Sequence, residues 1–196
     1  MPNQKLYIHE TIRISVRHRK QYLDHFCSWG PLGRKLYDMH CFGVWATVGS
    51  SDVWPEAIVM WELDGLDALT RMLSGEFAFL HQDDAPIADH YALYWGGAPE
   101  GVTDTSGYDR LLAPTPGSLT LAQAVERGVR GIGYYHELAR VEPPRAPEYL
   151  ELYETRWRPF LEELGLRWLG TYRTRLKNDS EALALWALPE WAGLAA

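Results

Sequence analysis

LYIHETIRI, residues 6–14, comes back two thirds of the way along the chain as YYHELARV, residues 134–141. Tyr7, His9, Glu10 and Arg13 return as Tyr134, His136, Glu137 and Arg140, four pairs at one constant offset. Self-similarity at a fixed offset decides architecture ahead of any local pattern. The match continues beyond the strand. Tyr22-Leu23 returns as Tyr149-Leu150, and Gly43, Trp45 and Thr47 return as Gly170, Tyr172 and Thr174. Trp61 and Leu63 return as Trp186 and Leu188 after a short contraction in the turn between. The chain reads as a tandem duplication.

Within LYIHETIRI the apolar Leu6, Ile8, Ile12 and Ile14 alternate with Tyr7, His9, Thr11 and Arg13, the period of a half-buried strand. Glu10 falls on the apolar side and needs a partner; the reading assigns it, like Glu137, a structural salt bridge to Arg17 or to helix groups. His18–Ser28 has helical spacing, and Trp29-Gly30-Pro31 predicts its end, with a second helical piece from Leu32 to Met39. Residues 41–48 and 57–63 form a predicted hairpin, and 66–80 a helix. A short strand at 108–112 and a connecting helix over 119–130 follow. The second copy then runs as strand 132–141, helix 146–164 with Pro147 at its first turn, and hairpin strands 167–175 and 182–188.

The order β, α, β, β, α, β in the first copy is that of a ferredoxin-like split unit. The second copy stops after its third strand. The expected class is α+β: tandem ferredoxin-like repeats forming a pseudo-dimer, the second repeat truncated. The expected units are residues 1–117, a connecting helix over 118–131, and residues 132–196. Two sheets that carry helices on one face only must bury their other faces, and packing those faces together closes a barrel.

The net charge of −7 and the lack of any Lys/Arg-rich run exclude a backbone-driven nucleic-acid binder. Two cysteines, Cys27 and Cys41, are too few for a disulfide framework and fit reduced thiols. The N-terminus lacks an apolar signal core and no window is long and apolar enough to span a bilayer, so the cytoplasm is expected. Nine Trp and eleven Tyr exceed what a core needs, which assigns some of them to a pocket or interface. Trp29, Trp45, Trp54, Trp61, Tyr91, Tyr94 and Trp95 are the series in question, with core packing as the competing account.

LYIHETIRI with its following Tyr22-Leu23 helix, FGVWATV at 42–48, and IVMWELDGLDAL at 58–69 together resemble the dimeric α/β-barrel superfamily, and within it the NIPSNAP-like proteins. The resemblance covers most of 6–73 and, more weakly, 134–188. It implies a fold shared by cofactor-free monooxygenases, isomerases, cyclases and haem enzymes. NIPSNAP-like first strands often carry Glu and Arg where this chain has Ile8 and Glu10. No histidine matches the axial ligand of the haem members.

If the apolar side of each first strand faces its helices, Tyr7, His9 and Arg13, with Tyr134, His136 and Arg140, face the interior, joined by Trp45 and Tyr172. A neutral histidine can move a proton near pH 7, and an arginine beside it can hold a carboxylate or enolate. His9, His136, Arg13 and Arg140 are therefore the candidate catalytic residues, and Tyr7, Trp45, Tyr134 and Tyr172 the candidate substrate-binding ones. The bland alternative makes all of these pseudo-symmetric packing residues. Turning the sheet over would put Glu10 and Glu137 in the pocket instead.

No metal is expected. The cluster His81, Asp83, Asp84, Asp89 and His90 fits solvated loop better than a ligand set. There is no phosphate loop, dinucleotide fingerprint or nucleophile elbow. The expected function is a cofactor-independent enzyme acting on a hydrophobic, aromatic or polyketide-like small molecule by oxygenation, isomerisation or cyclisation. The rival is a non-catalytic binding or interaction module of the same fold. The open sheet edge left by the truncated copy points to a homodimer.

Overall fold

The computed structural model describes residues 2–49, 54–79 and 103–190. The chain divides into two compact units, Ile8–Arg110 and a second made of Met1–Tyr7 with Leu111–Ala196. It passes between them inside two strands, β1 (Leu6–Ile14) and β4 (Thr103–Pro114).

In the first unit β1 leads through a 3-10 turn, Val16–His18, into helix α1 (Arg19–Tyr37). Strands β2 (Met39–Ala46) and β3 (Glu56–Leu63) form the predicted antiparallel hairpin, followed by helix α2 (Gly65–Phe79). The strand order is β2-β3-β1-β4, the ferredoxin-like arrangement read from the sequence. Helix α1 does not stop at Pro31. It runs on to Asp38, which adopts a left-handed φ of 56° and closes the helix by donating its N–H to the Arg34 carbonyl at 3.1 Å. An interior proline costs about 3 kcal/mol, chiefly through the lost bond to residue i−4. Here that residue is the exposed Cys27, whose carbonyl water can satisfy. Trp29 meanwhile stacks on Tyr37 and meets Trp61 edge-on at 5.7 Å, burial that only an unbroken helix delivers.

The second unit contains a short helix α3 (Leu121–Glu126), begun by a capping box. The Thr120 hydroxyl accepts from the Gln123 N–H, and the Gln123 side chain accepts from the Thr120 N–H at 2.9 Å. Strand β5 (Gly133–Arg140) follows, then β6 (Arg167–Thr174) and β7 (Glu181–Leu188), in the order β4-β6-β7-β5 with antiparallel ladders. The sheet of the second unit thus gains a fourth strand from the end of β4, where Leu112, Ala113 and Pro114 pair with Thr174, Arg173 and Tyr172.

The predicted single helix over 146–164 is three pieces: α4 (Ala146–Leu152), a wide π turn (Tyr153–Trp157), and α5 (Arg158–Glu163). The widening lies just ahead of Pro159. Proline has no N–H to give the Thr155 carbonyl, so the ladder shifts register there.

Each hairpin carries one bulge, between Cys41 and Gly43 in β2 and between Trp168 and Gly170 in β6. Both glycines lie beneath an aromatic ring two residues on. A Cβ at Gly43 would fall 2.2 Å from the Trp45 ring, and one at Gly170 would fall 2.8 Å from the Tyr172 hydroxyl.

Candidate functional site

Opposed residues of an antiparallel ladder share a face, as do residues two apart on one strand. In the second unit Glu137 takes hydrogen bonds from the helix hydroxyls of Tyr149 (3.1 Å) and Tyr153 (2.6 Å). Glu137 and Tyr135 therefore lie on the helix-covered face. Tyr134, His136, Leu138 and Arg140 lie on the other, where His136 opposes Leu185 and Tyr172 opposes Leu183. Tyr7 belongs to the same unit and meets Tyr172 edge to face at 5.0 Å.

This settles which side of the repeated strand carries the histidines: they face away from the helices, and the glutamates face toward them. The first unit agrees. Trp61 packs on Phe26 and Trp29 of α1 and donates its indole N–H to Glu10 Oε2 at 3.0 Å, so Glu10 is helix-facing and His9, Thr11 and Arg13 are not. Trp45 opposes Ile58, on the face opposite Trp61.

Glu137 is held differently from the expected salt bridge. Glu137 is bound by two phenols, and Tyr153 in turn accepts the Trp186 indole N–H at 3.1 Å. A carboxylate on an apolar face is satisfied here by aromatic donors contributed from the next strand and the helix. Carboxylate proximity and burial push the Tyr149 and Tyr153 phenols up, chiefly through burial, and keep them protonated donors.

On the helix-free face of the second unit Tyr7 and Tyr172 are fully buried. Asn3 donates to the Tyr7 hydroxyl at 2.9 Å, and that hydroxyl donates to the Leu119 carbonyl at 3.3 Å. Tyr134 and His136 are partly buried and Arg140 is exposed. Burial pushes the His136 imidazole down to about 3, so it is neutral across the physiological range.

In the first unit His9 is buried, Trp45 is partly buried and Arg13 is exposed. The sequence reading missed Arg110. This arginine is only 4 % exposed, donates to the Thr11 hydroxyl at 3.4 Å on the face of His9, and lies over the Tyr108 ring at 4.3 Å. Its one sequence signal was a charge inside YDRLL, at a position whose neighbours two residues away are Tyr108 and Leu112.

Among the described residues one group could hold a metal ion: Asp38, His40 and Asp64, whose ligand atoms all lie within 4.8 Å of one another. Arg71 already sits 2.6 Å from Asp38 and supplies the positive charge there. The cluster at residues 81–90, and Tyr91, Tyr94 and Trp95, lie outside the described residues. Of the remaining aromatic series, Trp29 and Trp61 are core and Trp54 is exposed.

No protein-family model matches the chain and no curated protein matches it. Solved structures do. One is a "putative monooxygenase" from Fusobacterium nucleatum subsp. nucleatum ATCC 25586, with a TM-score of 0.58 at 9% identity over 100% of this chain and 80% of that one. Another is the chlorite dismutase of Candidatus Nitrospira defluvii in complex with imidazole, with a TM-score of 0.48 at 10% identity over 100% and 81%. At 9% identity the first likeness is one of fold alone, a mixed α/β fold with an antiparallel sheet. No described helix is long and apolar enough to cross a membrane.

Proposed function

We propose that the chain is a cofactor-independent enzyme that moves a proton on a hydrophobic, aromatic or polyketide-like small molecule. The observation that carries this reading is the shared face of Tyr134, His136 and Tyr172, with a neutral imidazole at its centre. A neutral imidazole in an apolar setting accepts a proton only if the charge it gains is answered nearby. An enolate or phenolate formed beside it answers that charge, so base strength rises with a substrate in place. Arg140, two residues on from Leu138 on the same face of this unit, is the cation proposed to steady the substrate's oxygen; Arg13 is its counterpart in the first unit. Tyr134, partly buried beside His136, gives the aromatic contact, with Tyr7 and Tyr172 packed against each other; His9 and Trp45 are the candidates of the first unit.

For oxygenation the balance is anthrone plus O2 giving anthraquinone plus water, with His136 taking the carbon-bound proton first. The experiment is oxygen uptake with product analysis on anthrone, with protein-free buffer subtracted. Because His136 is already neutral in the free protein, kcat/KM should show no inflection near pH 6.5. An inflection there would assign the base to another group.

A second reading, a non-catalytic binding or interaction module, draws on Tyr7 and Tyr172. Both residues are fully buried, their rings in edge-to-face contact, which is core packing on the face the enzyme reading needs. Under it, anthrone would protect the fold thermally without being converted.

We also propose that the two copies descend from one duplicated unit, spanning 1–117 and 132–196 with 118–131 between, and that the parent was NIPSNAP-like. The paired bulges over Gly43 and Gly170 support the duplication, as do the paired Trp61–Glu10 and Trp186–Tyr153–Glu137 chains. β5 ends the strand order, and a homodimer that covers this edge completes the proposal.

A further inference from the structure

A cleft of about 360 Å³ opens on the helix-covered side of the second unit, distant in function from the His136 face. Pro114 and Pro116 form one wall, and Pro147 and Leu150 of α4 form the other. Between them sits the Glu154 carboxylate, delivered by the π turn. The Thr115 and Thr171 hydroxyls both donate to its Oε1. Ser118 locks this pair, since its hydroxyl donates to the Thr171 carbonyl at 2.7 Å and accepts the Thr171 N–H at 3.0 Å. Hydroxyls on two separate segments thus fix one carboxylate oxygen in place before any ligand arrives.

The other oxygen, Oε2, takes no hydrogen bond from the described residues. It lies beside Gly117, where a Cβ would be 3.1 Å away. Two arginines stand close: Arg173 lines the cleft with its Nε 3.4 Å from Asp179, and Arg158, whose Nε bonds Glu162 at 3.1 Å, brings its Nη1 to 3.6 Å from that same Cβ position. Glu151, which also lines the cleft, has no ion pair among the described residues. The result is a cleft with apolar proline walls, two carboxylates to one lining arginine, and one acceptor oxygen that takes no hydrogen bond among the described residues.

We propose that this cleft binds a small molecule bearing a cationic nitrogen on a short apolar body. An N⁺–H donor bonds Glu154 Oε2, a charge-assisted contact of the strong kind. Glu151 adds to the local negative field, and the body packs between the prolines and Leu150. The volume is at the small end of ligand cavities, which limits the occupant to roughly a dozen non-hydrogen atoms.

The test uses 2-phenylethylamine, with 2-phenylethanol and phenylacetate as neutral and anionic counterparts of the same size. Calorimetric titration and NMR of the full chain should show the amine binding and the other two binding at least tenfold more weakly. Glu154→Gln should weaken the amine at least tenfold. Glu151→Gln, at an exposed helix position, should weaken it about threefold with an unchanged Tm, which keeps the test valid if the Glu154 variant folds poorly. His136→Ala should leave amine affinity unchanged. Equal binding of amine and alcohol, preference for phenylacetate, no amine binding, or unchanged affinity in both Glu variants would overturn the proposal.

Discussion

The indole N–H of Trp61 donates to Glu10 Oε2 at 3.0 Å, joining the third strand of the first unit to the repeated strand on the face that α1 covers. Trp61 is 2 % exposed, so removing the acceptor leaves a buried donor beside apolar neighbours. Glu10→Leu should cost about 1–3 kcal/mol in urea unfolding. Trp61→Phe with Glu10→Leu should cost less than the sum of the two single changes, a coupling of about 1 kcal/mol in the double-mutant cycle.

Tyr153 occupies the corresponding place in the second unit, between Trp186 and Glu137. Tyr153→Phe removes a donor and an acceptor at once. It should destabilise the fold by about 1–3 kcal/mol and alter the near-ultraviolet signal of Trp186. Tyr149→Phe removes a single bond to Glu137 and should cost less, about 1 kcal/mol in the same denaturant titration.

The two cysteines should separate cleanly by reactivity. Burial, with Cys27 and Glu10 nearby, pushes the Cys41 thiol up to about 12, while Cys27 is exposed. The thiolate is the reactive species. Iodoacetamide at pH 8 should therefore give one adduct at Cys27 by peptide mass spectrometry, with Cys41 modified only after denaturation.

Acid should weaken the fold through two partly buried imidazoles. Burial lowers His136 to about 3 and His25 to about 4, against an unfolded value of 6.5. Between those limits the unfolded chain binds more protons than the folded one, so their contribution is complete above pH 6.5 and is lost as pH falls toward 3–4. Each group adds a slope of up to about 1.4 kcal/mol per pH unit. Urea midpoints from pH 4.5 to 7 should rise with pH, and His136→Asn should flatten that rise. An unchanged slope in the variant would reject His136 as a source.

Alternation alone separates His9 and Arg13 from Ile8 and Ile12, but which side meets the helices stayed open, because Glu10 and Glu137 fall on the apolar side. The identity of each glutamate's partner was not readable. Trp61, Tyr149 and Tyr153 reach it across strand and helix, and spacing along one strand carries no record of its neighbours. Pro31 misled for a related reason: the local penalty is visible in the sequence, whereas the Trp29–Tyr37–Trp61 packing that outweighs it is tertiary. Glu154 had no signal at all. Its partners Thr115 and Thr171 sit far away in the chain, and the π turn that presents it arises from Pro159, two turns' worth of reading that helical periodicity averages away.

The most direct measurement is anthrone oxidation by wild type and His136→Ala at matched concentrations of folded protein. The account expects a protein-dependent rate that falls by about 10²-fold or more in the variant, the range for loss of a general base. No rate above buffer in the wild type, or the same rate in both proteins, would contradict it.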